Sequence, residues 1–117
     1  GKFKGPTFRS PQGILIQAPV ATRTGDTVQM TWVTAENYDR NEVVLDQNNG
    51  PYPEASISAE TEYDVSKQIY THTATFKITN RIANESIPTF PDEGKYAFQV
   101  QSWSKNVPIL SSAMVEL

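Results

Sequence analysis

The sequence predicts an all-β fold, a two-sheet antiparallel sandwich of about seven strands. Three observations predict it. Apolar and polar residues alternate with period two in several separate segments, as in TVQMTWV, where Val28, Met30 and Trp32 share one side and Gln29 and Thr31 the other. Clusters of turn-forming residues separate these segments. No stretch carries a helical apolar stripe, and eight prolines in 117 residues disfavour a helix bundle.

Each element follows in order. Residues 1–12, GKFKGPTFRSPQ, read as an N-terminal arm or linker, because Gly1, Gly5, Pro6 and Pro11 interrupt regular pairing. Phe3 and Phe8 are out of place in a solvated tail, so the arm is expected to dock, on its own domain or on a neighbour. Residues 13–117 form the sandwich domain. Its first strand opens with Ile14 and Ile16 and ends near Pro19, and TRTGDT turns into the Val28–Met30–Trp32 strand. AENYDRN, 35–41, is a polar loop, EVVLD, 42–46, a short strand, and QNNGPYP, 47–53, a turn centred on Asn49-Gly50.

From Ala55 to Val65 the alternation predicts one strand, with Ser56, Ser58, Glu60, Glu62 and Asp64 on its polar side. From Tyr70 to Thr79 a second alternation places Tyr70, His72, Ala74, Phe76 and Ile78 inward. Residues 80–94 form a long connection. In GKYAFQVQSW, 94–103, Tyr96, Phe98 and Val100 face one way and Gln99 and Gln101 the other. The last strand is placed near Ile109–Leu117. Trp32, Tyr96, Phe98, Val100, Met30 and Phe76 are expected to meet between two sheets about 10 Å apart. Burying each contributes on the order of 1.5–3 kcal/mol.

Composition removes several function classes. A formal charge of −3 and the absence of a Lys/Arg run give no footprint for nucleic acid or for an anionic membrane surface. The absence of cysteine removes disulfide frameworks, thiolate metal sites and cysteine nucleophiles. No apolar run is long enough to span a bilayer. No signal peptide is present, so a secreted chain would already have lost it.

Three places resemble the fibronectin type III or related immunoglobulin-like domains. They are the proline-bearing first strand, Ile14–Pro19; GDTVQMTW, with Trp32 in the position of the family's buried tryptophan; and KYAFQVQSWSKNVPILSSAMVEL, which is similar to the family's tyrosine-led sixth strand, loop and Ser-rich final strand. The TGDTVQMTW portion also looks like the fungal Ser/Thr-rich cell-wall family. The departures are a long IANESIPTFPDEGK before the tyrosine strand and the absence of an Arg-Gly-Asp tripeptide. The resemblance implies an immunoglobulin-like sandwich whose 35–41 loop, Val65–Ile69 turn and 103–108 loop share one end.

Candidate chemistry is sparse. His72 is the lone histidine and faces inward, without a neighbouring nucleophile or carboxylate, so a structural role is expected. Glu60, Glu62 and Asp64 form an acidic stripe, but residues two apart on a strand stand about 6.6–7 Å apart, too wide for one cation. No nucleophile elbow, phosphate loop or dinucleotide fingerprint appears. No catalytic residue, metal or cofactor is expected, and the chain is read as a non-enzyme. Asn84-Glu85-Ser86 is a glycosylation sequon.

Trp103 lies by parity on the glutamine side, where an exposed indole would be unusual. With Lys105, Asn106, Tyr38, Asp39, Arg40 and Lys67 it forms the expected contact surface for a partner, since Tyr, Trp and Arg dominate binding hot spots. Folding of Trp103 over the core rim, or its use as a lid for the arm, is the competing expectation. The functional expectation is a non-catalytic binding or adhesion module that recognises a protein or glycan, located outside the cell, on a cell surface or on a particle. The alternatives are a carbohydrate-binding module, with Trp103 and Tyr38 as stacking platforms, and a structural or decoration domain of a cell wall, pilus or virus particle.

Overall fold

A computed structural model of the chain describes residues 8–45, 56–79, 87–90 and 96–117. Asn84, Phe3 and the Asn49-Gly50 turn lie outside the described residues. Ten strands and no helix occur among those described: β1 Gln17–Thr24, β2 Thr27–Thr34, β3 Arg40–Leu45, β4 Ser56–Ser58, β5 Glu60–Asp64, β6 Ile69–Ile78, β7 Thr89–Phe90, β8 Ala97–Ser104, β9 Val107–Ser111 and β10 Val115–Glu116. One sheet runs β1-β2-β6-β5, with β7 beside β6. The other runs β10-β8-β3-β4, with β9 beside β8. Pairing is antiparallel throughout, except for the two-residue parallel contact of β6 with β7.

The alternation in the sequence carries this arrangement. Val28, Met30 and Trp32 from β2, Ala74, Phe76 and Ile78 from β6, Val43 and Leu45 from β3, and Phe98 and Val100 from β8 pack into one buried cluster between the sheets. Tyr96 and Phe90 close its end: Phe76 lies 4.7 Å from Phe98 and 6.0 Å from Phe90 between ring centroids. Phe90 belongs to the stretch read from sequence as plain connection. It is a core residue, because the two-residue β7 pins it against Ile78.

Four expectations are corrected. The first strand does not open at Ile14 and end near Pro19; Ile14 and Ile16 are exposed, and the strand runs through Pro19 to Thr24. It tolerates the proline because β1 is an edge strand and its register with β2 shifts between Gln17 and Val20, which spares Pro19 a ladder N–H.

The Ala55–Val65 alternation is not one strand. β4 pairs with β3 in one sheet and β5 with β6 in the other, so the chain changes sheets at Ala59, whose N–H donates to the Asn41 carbonyl at 2.9 Å. An unbroken period of two does not reveal which sheet receives each half.

The final strand is split, and it begins earlier than expected. β8 turns directly into β9 through Lys105 and Asn106, both at positive φ, 52° and 65°. Two such residues in a two-residue hairpin match the twist of the strands. Ile109 is the extra residue of a bulge between the Ser102–Leu110 and Trp103–Pro108 pairs.

Gln99 and Gln101 do not face water. Every residue of β8 from Ala97 to Ser102 is buried, so this strand is covered on both faces. Part of the cover is the arm, which docks on its own domain over residues 8–12. Arg9 N–H donates to Gln99 Oε1 at 3.1 Å, and Gln99 Nε2 donates to the Arg9 carbonyl at 2.7 Å. Ser111 Oγ donates to the Ser10 carbonyl, and Gln12 exchanges both backbone hydrogen bonds with Ser111.

Candidate functional site

β3 and β8 position the site. Their register sets Arg40 opposite Trp103 and Glu42 opposite Gln101, all on the face of the sheet turned away from the core. Arg40 Cζ lies over the Trp103 ring at 4.4 Å from its centroid, and Arg9 Cζ from the arm lies over the same ring at 5.4 Å. Contacts of this length are attractive, because the indole face is electron-rich. Trp103 is therefore half-buried rather than a free outward platform, and its Nε1 has no hydrogen-bond partner.

Arg40 also reaches along its own strand: its Nε donates to Glu42 Oε1 at 2.8 Å. The Glu42 side chain is only 4% exposed, and its second oxygen has no partner. Burial pushes its carboxyl above the ordinary value, and the neighbouring Arg40 offsets this only in part.

The two loops meet at Asp39. Its Oδ2 accepts the backbone N–H of Lys105 at 2.7 Å. The 35–39 loop leaves β2 at Thr34, and Asn37 Oδ1 accepts the Tyr38 N–H within it. Burial and Glu36 raise the Tyr38 hydroxyl pKa. An open polar cleft of about 360 Å³ lies beside this loop, lined by Asn37, Tyr38, Asp39 and Arg40 on one side and by Ser58 and Thr61 on the other.

Of the residues expected to form the contact surface, Asp39 is tied to Lys105 and Arg40 to Trp103, Asn106 shares the Lys105 turn, and Tyr38 lines the adjoining cleft. Lys67 is exposed in the turn between β5 and β6. That turn is held from within: Asp64 Oδ1 accepts the N–H of Ser66 and of Lys67 and the Ser66 hydroxyl, and this holds the Asp64 carboxyl below its ordinary value. Glu60 and Glu62 are exposed, and among the described residues no three His, Cys, Asp or Glu side chains gather where a metal ion could bind. Phe8, at the start of the described arm, is half-buried.

His72 is fully buried against Trp32, with ring centroids 5.5 Å apart. Thr34 Oγ1 gives its proton to the Glu36 carbonyl at 2.7 Å, so it must accept from His72 Nε2–H, also at 2.7 Å. Nδ1 then accepts from Thr61 Oγ1 at 2.8 Å. This chain of hydrogen bonds crosses β5, β6 and β2 and ends on the 35–39 loop. It holds the ring neutral, and burial lowers its pKa to about 4.

Sequence reasoning missed Arg9, Glu42, Gln99 and Ser111. The parity of Glu42, opposite its apolar neighbours Val43 and Leu45, was available as a signal. The arm that covers part of that face was not. No family model matches the chain, and searches of curated proteins and of solved structures returned no significant match.

Proposed function

We propose that the chain is a non-catalytic recognition module, an immunoglobulin-like sandwich that contacts a macromolecule outside the cell or on a particle surface. What supports the immunoglobulin-like reading is two packed antiparallel sheets, with β1-β2-β6-β5 in one and β8 flanked by β3 and β9 in the other, an order compatible with such a sandwich. The observation that carries the recognition surface is the Asp39–Lys105 clamp beside the Arg40–Trp103 pair. A rigid scaffold holding two loops in fixed relation lowers the ordering cost of binding. The exposed cations Arg9, Arg40 and Lys105 around a partly covered indole suit acidic or hydrogen-bond-accepting groups on a protein.

The carbohydrate reading rests on a different observation, the polar cleft beside Tyr38 with Ser58 and Thr61. Trp103 contributes less to it than expected, since two guanidinium groups already lie over its ring. The test is binding of the labelled chain to intact cells or particles of its source, in parallel with a glycan array. For the protein reading, Arg9→Ala with Lys105→Ala is expected to weaken surface binding at least about tenfold, or about 1.4 kcal/mol, at a nearly unchanged melting temperature, since both side chains are exposed. Full binding by that variant sinks the assigned surface. Glycan binding lost on Tyr38→Ala selects the carbohydrate reading instead.

A further inference from the structure

The groove that receives residues 8–12 holds the arm mostly by its main chain. Gln99 presents its amide as a strand would, accepting from the Arg9 N–H and donating to the Arg9 carbonyl. Ser111 adds a hydroxyl to the Ser10 carbonyl and a two-bond ladder rung with Gln12. Gln12 Nε2 donates to the Pro108 carbonyl at 2.9 Å. Gln99 and Ser111 are buried, so these donors and acceptors are desolvated and need an extended segment in the groove to satisfy them.

The segment is joined to the sandwich at one point, Gly13. Its φ is +79°, and a Cβ there would stand 3.2 Å from Leu110 Cγ, so both the backbone angle and the space call for glycine. Immediately beyond it Ile14 is 87% exposed, and on β9, beside the arm, Val107 and Ile109 are 53% and 44% exposed. Ile14 and Ile109 thus border the hinge in water, with Val107 farther along β9.

From this geometry we infer that the groove also accepts the arm of a second copy, so that two chains exchange residues 8–12 about Gly13. Every groove contact made within one chain is remade between two, so the exchange costs no groove hydrogen bond. The difference lies at the hinges. Two copies brought together at their hinges would cover part of Ile14 and Ile109 on each, and burial of apolar surface favours that state. The occupant is this chain's own arm because its main chain already fits the groove. The inference is independent of what the loops bind.

The test begins with sedimentation of the unmodified chain over a rising concentration series, after joint unfolding and refolding. A dimer that grows with concentration and disappears on deletion of residues 1–12 is expected. A chain that stays monomeric throughout, or a dimer that survives the deletion, overturns the proposal. Cysteines then distinguish exchange from face-to-face association. Gln12 and Ser111 form a doubly hydrogen-bonded antiparallel pair, whose Cα separation of about 5.5 Å suits a disulfide. Gln12→Cys and Ser111→Cys, refolded together as separate chains, are expected to give about tenfold more disulfide-linked dimer than either alone, because only exchange brings the two thiols within bonding distance. A mixture no better than the single variants, while the double variant closes its disulfide within one chain, also overturns it.

Discussion

Asp39 Oδ2 and the backbone N–H of Lys105 meet at 2.7 Å across 66 residues of chain. The contact fastens the loop after β2 to the turn between β8 and β9, and with it two halves of the proposed recognition surface. Asp39→Ala is expected to cost about 1 kcal/mol of stability, less than the roughly 1.5–3 kcal/mol of a hydrogen bond to a charged group, because the contact is exposed. The Lys105 amide should exchange with solvent faster while core amides stay protected. A urea midpoint and residue-resolved hydrogen exchange check both effects.

Arg40 and Trp103 sit opposite each other in the β3–β8 ladder with the guanidinium 4.4 Å from the ring centroid. A double-mutant cycle with Arg40→Met and Trp103→Leu should return a coupling of about 0.5–1 kcal/mol. Additive losses would remove the pair as an ordering element of the site.

His72 makes stability depend on acid. Its pKa is about 4 in the fold against 6.5 for the free side chain, so between these values the unfolded chain binds the extra proton. The contribution is fully present above pH 6.5 and is lost as the pH falls towards 4. The whole step amounts to roughly 3 kcal/mol at 1.36 kcal/mol per unit. His72→Gln should lower stability at neutral pH and flatten this part of the profile. An unchanged slope between pH 6.5 and 4 would reject the assignment.

Glu42 acts in the opposite direction. Burial raises its carboxyl pKa above the ordinary 4.5, so ionisation favours the unfolded chain. Its contribution is complete below the unfolded value and is lost as the pH rises through the folded one. Glu42→Gln keeps an acceptor for Arg40 Nε and removes the buried charge. It is expected to stabilise the protein above that range and to leave it nearly unchanged at pH 3, as thermal melts at the two ends of the profile would show.

Much of the core was legible in the sequence. The β2, β6 and β8 alternations gave the inward residues Trp32, Phe76 and Phe98, because strand geometry turns a period of two directly into a buried face. Two kinds of feature were not legible. The crossing of the chain between sheets at Ala59 leaves the alternation unbroken, so period alone could not locate it. The burial of Gln99 and Gln101 depends on cover that parity along β8 cannot report.

The sequence by itself determined that the chain is all-β and which side chains fill the space between its sheets, since local pattern and hydrophobic burial act on neighbouring residues. Tertiary structure alone decided how Trp103 is used. Its surroundings, Arg40 across the ladder and Arg9 from the arm, come from segments 63 and 94 residues away in sequence. Which residues end up beside an indole at that separation is set by strand register and arm docking, and neither is written in any local stretch.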